Sequence, residues 1–210
     1  MDYRTLLPAL AIGGGALVTV VVLRVITTMT RRAYENLQRL GTEFELSVRE
    51  VRPVMGFYRK SEANGSVRGK PVRIYNDTTG SGKSQTTWSV VAVKPRAVGD
   101  LNFALTRQGM KTSGLERFGA KGIQIGEREF DDQWFIETST PDFLRAALLP
   151  ELRRKIQTHR GLWKLADGEV TYAEPGSFSN RERAERFVAI VDLACDLADV
   201  AEVYAQQPTK

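Results

Sequence analysis

The chain has 210 residues, 42% apolar and 26% charged, and carries a net charge of +5 from 30 Lys and Arg against 25 Asp and Glu. Those proportions are those of a folded globular chain and exclude a collagen-like or low-complexity one. The lone cysteine Cys195 and lone histidine His159 exclude an internal disulfide and the usual His–metal clusters and His-based catalytic triads.

The first element is an apolar run from Leu6 to Met29, interrupted only by Arg24. A helix rises about 1.5 Å per residue, so about 20 apolar residues cross a bilayer core of roughly 30 Å. The run is apolar on every face, unlike a soluble amphipathic helix. It lacks the basic n-region and short core of a cleaved signal peptide, so an uncleaved single-pass anchor is expected. Arg24 lies near its C-terminal end, where the guanidinium reaches headgroups while the stem stays in lipid. Arg4 precedes the span, and Arg24, Arg31, Arg32 and Arg39 accompany or follow it. That bias places the C-terminal domain in the cytoplasm. Ala9 with Gly13, and Ala11 with Gly15, are small residues four apart that permit self-association of the span.

Residues 30–40 carry Ala33, Leu37 and Leu40 at helical spacing and are expected to prolong the helix as a stalk, with Gly41 as its stop. The expected division is therefore 1–41 membrane helix and stalk, 42–205 soluble domain, and 206–210 loose tail. Glu43–Val51 alternates in the manner of a half-buried strand, and segments 54–60, 70–76, 86–93 and 101–106 follow with meander-like spacing. Asn64-Gly65 is a hairpin signal. Residues 122–126 and 132–139 read as two more strands. Pro141 opens a helical stretch that Pro150 divides. Residues 161–176 form a hairpin turning at Asp167-Gly168, and Ser179 or Asn180 caps a long final helix from Arg181. Strands followed by helices, without a βαβ alternation, indicate an α+β fold with a mostly antiparallel sheet.

Three clusters could carry chemistry. The segment Asp77–Ser84, in DTTGSGKSQTT, resembles the end of a phosphate-binding P-loop at Gly82, Lys83 and Ser84. Asp77 stands where the first glycine belongs, and β-branched residues follow where a helix should begin, so a β-hairpin is the favoured reading. Asp131 and Asp132 form a carboxylate pair, read as turn residues leading into a strand whose adjacent side chains point to opposite faces. The 145–160 segment gathers Arg145, Arg153, Arg154, Lys155, His159 and Arg160, a basic cluster read first as a solvated helix face, with contact to lipid and, less favoured, nucleic acid as the alternatives. No catalytic, metal or cofactor-binding residue stands out. The residues expected at a membrane surface are Arg24, Arg31, Arg32, Arg153, Arg154 and Lys155. Cys195 is expected in the core.

Gly126, Phe130, Asp131, Phe135 and Ile136, with the PDFLRAALLPELR run from Pro141, resemble bacterial membrane-anchored proteins of the DUF3137-like kind over residues 121–165. The resemblance implies a membrane helix before a soluble α+β domain and transfers no catalytic residue. The expected role is a non-enzymatic interaction or scaffold module with an unidentified protein partner; the alternatives are a nucleotide-using enzyme and a lipid- or nucleic-acid-binding surface.

Overall fold

A computed structural model of the chain describes residues 3–49, 61–108 and 122–207, with the side chains of the first helix described from Thr19 onward. The expected strand at 54–60, with Phe57 and Tyr58, lies outside the described residues. The elements are α1 (Tyr3–Glu43), β1 (Ser47–Val48), β2 (Glu62–Val67), β3 (Lys70–Thr79), β4 (Thr86–Val93), β5 (Phe103–Arg107), α2 (Arg128–Asp131), β6 (Trp134–Glu137), α3 (Pro141–Ala147), α4 (Pro150–Gln157), β7 (Leu162–Ala166), β8 (Glu169–Pro175) and α5 (Arg181–Ala205).

The strands form one antiparallel sheet in the order β1-β2-β3-β4-β8-β7-β5-β6. This is the expected α+β class. Directly opposed residues share a face, and the register draws one row across all the strands: Val48, Ala63, Ile74, Val91, Tyr172, Trp163, Leu105 and Ile136. From Ala63 to Ile136 every member of the row is at most 1% exposed. The spacing suggested a simple meander, but the late hairpin β7–β8 inserts between β4 and β5. Only the burial of Val170 and Tyr172 against both neighbours fixes that arrangement.

Helix α5 lies on this row. Phe187 meets the Tyr172 ring edge-on at 5.7 Å and Phe178 at 4.7 Å. The Asn180 side chain caps α5 by accepting from the N–H of Arg183 at 2.9 Å, the expected cap. Its buried stripe includes Ile190, Val191, Ala194, Cys195, Leu197 and Ala198, and burial pushes the Cys195 thiol up to about 11. Helices α3 and α4 divide at Pro150 as expected and pack on α5.

The last turns of α1 belong to the same core. Ala33, Leu37 and Leu40 are buried, and the helix packs on α5, β1 and β2. The Asn36 amide donates to the Phe178 carbonyl at 2.7 Å, just ahead of α5. Farther along, Leu40 and Glu43 face Ala184 and Val188 across a small cleft. The two helices therefore run in the same direction. The spacing of Ala33, Leu37 and Leu40, expected to mark a stalk, is the core-facing stripe of an integral helix.

Four local expectations are corrected. The helix passes Gly41 and ends at Glu43, because Gly41 is pressed against Val48 and a Cβ there would lie 2.8 Å from its methyl group. Of the strand expected over Glu43–Val51, the described part is helix to Glu43, a turn at Glu45 with a φ of 55°, and strand at Ser47–Val48; residues 50 and 51 lie outside the described residues. Asn64-Gly65 lies inside β2, opposite Arg73 and Val72; the hairpin turns instead at Arg68-Gly69, with φ values of 52° and 73°. The strand expected at 122–126 is a single bridge between Ile123 and Ile136. The expected span Leu6–Met29 lies largely outside the described side chains. Among the described residues no helix is long and apolar enough to cross a membrane.

Leu37→Ala opens a cavity between α1, α5 and the sheet and is expected to lower unfolding free energy by about 2–5 kcal/mol. Urea unfolding measures it. A loss below about 1 kcal/mol would show that α1 is not part of the cooperative core.

Candidate functional site

The P-loop resemblance ends in the structure. Strands β3 and β4 pair from Val72↔Val93 out to Thr79↔Thr86, and Ser84 is followed by strand, not helix. Gly80 and Gly82 adopt φ values of 81° and 57° in the connecting turn. Without a following α-helix there is no row of free N–H groups to receive phosphates. The segment is a β-hairpin, as the β-branched residues after Ser84 indicated.

The aspartate pair also resolves structurally. Asp131 ends α2, and its carboxylate accepts from the N–H groups of Ile125 and Gly126 at 3.0 and 3.1 Å. The pair stands at the turn that leads into β6, as expected, and Asp131 is occupied in holding the 122–126 segment. Among the described residues no group of His, Cys, Asp and Glu could hold a metal ion.

The 145–160 cations are largely engaged with acids. Arg145 meets Asp142 at 3.3 Å, Arg153 meets Glu127 at 3.0 Å, and Lys155 meets Asp196 at 3.1 Å. Arg154 and Arg160 are exposed. Burial raises the Asp196 carboxyl, but hydrogen bonds from Arg68 and Lys155 outweigh it and hold the group below its ordinary value. Arg68 also reaches Asp192 at 3.1 Å, and buried Lys70 is paired with Asp199 and Glu202. Lys155, Arg68 and Lys70 thus clamp α4 and the β2–β3 turn onto α5.

His159 does not act as a positive cap for α4. It lies beyond the helix, half-buried against Trp163 and Tyr172, with ring centroids 6.3 and 6.1 Å away. Burial depresses its protonation, partly opposed by Glu174 and reinforced by Arg186. Glu174 itself is buried, accepting from the Tyr172 hydroxyl at 2.8 Å and from Arg183 and Arg186 at 2.7 Å each. This network closes the sheet's end against the start of α5.

One end of the domain gathers features with no internal use. There α1 leaves the core, and its side chains Val20, Val21, Val22, Leu23, Val25, Ile26 and Met29 are all exposed. Arg24, Arg31 and Arg32 are exposed beside them. The Phe178 peptide ties this end together: its carbonyl accepts from Asn36 of α1, and its N–H donates to the Asn76 side chain of β3 at 3.2 Å. Arg154 and Lys155 lie elsewhere, beside Asp196, some fifteen residues or about 22 Å down α5 from Arg181, and Arg153 is turned to Glu127. The expected surface residues therefore form two separate groups. Sequence reasoning missed a groove of about 840 Å³ among Val98, Leu101, Thr140, Pro141, Phe143 and Tyr204. It joins three segments distant in the chain, and no local pattern marks it.

No family model and no curated protein matches the chain. Among solved structures it is similar to the mycobacterial trehalose monomycolate transport factor A, TtfA, at 12% identity and a TM-score of 0.55, over 87% of this chain and 98% of that chain. At that identity the likeness shows the fold alone.

Two outcomes follow from the site. Millimolar Mg-ATP is expected to leave the melting temperature unchanged; a dose-dependent rise would restore the nucleotide reading. The unfolded chain protonates His159 near pH 6.5 and the folded chain only at lower pH, so stability falls as pH drops through that interval. His159→Gln is expected to flatten the dependence of melting temperature on pH between about 7 and 5. An unchanged slope would reject His159 as its source.

Proposed function

We propose that this chain is a non-enzymatic accessory domain tethered to a membrane through Leu6–Met29, with its folded part at the cytoplasmic face. The observation that carries the reading is the run of exposed apolar side chains on α1 from Val20 to Met29, on a helix whose last turns are buried in the core. Successive helical residues are about 100° apart, so these side chains surround the helix and no single protein face covers them. Lipid does. Polar groups in the run are turned inward: Thr27 and Thr28 donate their hydroxyls to the Arg24 carbonyl at 3.0 and 2.7 Å, and Thr30 to that of Ile26 at 2.8 Å. Such bonds suit a helix without water.

Arg24, Arg31 and Arg32 would meet the headgroups, and their excess over Arg4 supports the cytoplasmic orientation. Pairing of spans through Ala9, Gly13, Ala11 and Gly15 belongs to the same proposal, as does the DUF3137-like architecture of a membrane helix before an α+β domain. The description of TtfA as a transport factor supports an accessory role over a catalytic one. Internal pairing of the 145–160 cations weighs against nucleic-acid binding.

The full chain is expected to stay in the membrane pellet through carbonate extraction. Val18→Asp combined with Val21→Asp costs about 2.5–3.5 kcal/mol per residue in a spanning helix and moves the chain to the supernatant. Parent chain in the supernatant rejects the tether. Digestion of the domain in intact spheroplasts, rather than in inverted vesicles, rejects the orientation.

A further inference from the structure

We infer that the β3–β4 hairpin tip, residues 78–87 with Lys83, is a second membrane contact: an arm that rests on anionic phospholipid headgroups beside the α1 tether. The inference builds on the tether reading above and adds a specific surface to it.

The geometry begins at the Phe178 peptide. Asn36 of α1 and Asn76 of β3 bond to the backbone carbonyl and N–H of the same residue, Phe178, so helix and hairpin are level at that point. Strand β3 then runs away from Lys70, which pairs with Asp199 and Glu202 near the far end of α5. Because α1 and α5 run in the same direction, the hairpin tip and the exposed apolar part of α1 leave the domain at the same end. From Asn76 to the turn is four or five residues, about 13–16 Å of strand. From Asn36 back to Met29 is seven residues, about 10 Å of helix. The tip therefore reaches the level at which the apolar run begins.

The hairpin is built to project. Among the described residues, the β2–β3 register ends at Glu62↔Tyr75 and the β8–β4 register at Trp88↔Pro175. Thr78↔Thr87 and Thr79↔Thr86 continue the β3–β4 ladder, and the Thr87 carbonyl accepts a last bond from the Gly176 N–H at 2.7 Å before the turn. The Trp88 indole donates to the Thr79 hydroxyl at 2.8 Å, bracing the base of the arm across its two strands.

Its chemistry suits headgroups rather than the hydrocarbon. Residues 78–87 are Thr, Thr, Gly, Ser, Gly, Lys, Ser, Gln, Thr and Thr, with one charge and no large apolar side chain. The turn from Ser81 to Gln85 is exposed. Lys83 and the nearby Arg32 make no ion pair among the described residues, whereas Glu35 and Glu185 are each held by an arginine of their own helix, Arg31 and Arg181. Among the described residues, exposed Glu182 in the first turn of α5 and half-buried Asp77 of β3 are the other acids near this end. The uncompensated cations at the tip and on α1 match an anionic leaflet, and hydroxyl groups bond phosphate oxygens.

The test uses the full chain in vesicles of phosphatidylcholine with one-third phosphatidylglycerol and a trace of headgroup nitroxide lipid. A fluorophore is attached at Ser84→Cys or, at the opposite pole, at Asp167→Cys in the β7–β8 turn; native Cys195 is buried. Strong quenching at Ser84 and little at Asp167 is expected. Lys83→Glu is expected to lower the Ser84 quenching about fivefold on these vesicles. Flotation of the chain with equal, weak quenching at both sites overturns the arm and leaves the tether intact. Strong quenching that Lys83→Glu leaves unchanged overturns the charge match. A chain that does not float overturns the tether and the arm together.

Discussion

The sheet depends on one row of buried side chains that crosses every strand, with Tyr172 near its middle. A one-residue slip in any pairing would send that strand's share of the row to the opposite face, so burial of the row fixes all the registers together. Tyr172 is the most constrained member. Its ring lies 4.6 Å from Trp163, and its hydroxyl accepts from the Gly161 N–H at 3.0 Å and donates to Glu174. Gly161 has no space for a side chain: a Cβ would stand 2.3 Å from the Tyr172 ring. Helix α5 then has one place to dock, where Phe187 meets that ring.

The charges follow from the docking. A net charge of +5 could have produced a basic stripe, but many cations are spent on carboxylates of α5 and β8. Burial pulls the Lys70 ammonium down, yet the hydrogen bond to Asp199 and the charges of Asp199 and Glu202 outweigh it and hold it protonated. Arg183 bonds to Glu174 and to the carbonyls of Ser177 and Pro175, closing the turn before α5. Removing one partner of such a pair strands a charge away from water.

The result is a domain with two unlike ends. At one, the Arg68 and Lys70 network locks the β2–β3 turn to α5. At the other, α1 leaves the core and the β3–β4 hairpin projects beside it, held level by the Phe178 peptide. The hairpin that resembles a phosphate-binding loop carries its glycines for a turn, and its lysine points to a different anionic partner.

The sequence by itself determined the elements whose signals are local. The Asn180 cap, the Pro150 division, the Asp167-Gly168 turn and the alternation of β3 could be read because each depends on neighbours within a few residues. The β-branched residues after Ser84 sufficed to argue against a P-loop. Only the tertiary structure decided that Ala33, Leu37 and Leu40 are core, that Asn64-Gly65 lies within a strand, that β8 pairs with β4, and that His159 is half-buried. Each of these depends on which surface the folded chain brings against it, from Arg73 across the β2–β3 hairpin to α5 far along the chain from α1, and a local pattern carries no record of that choice.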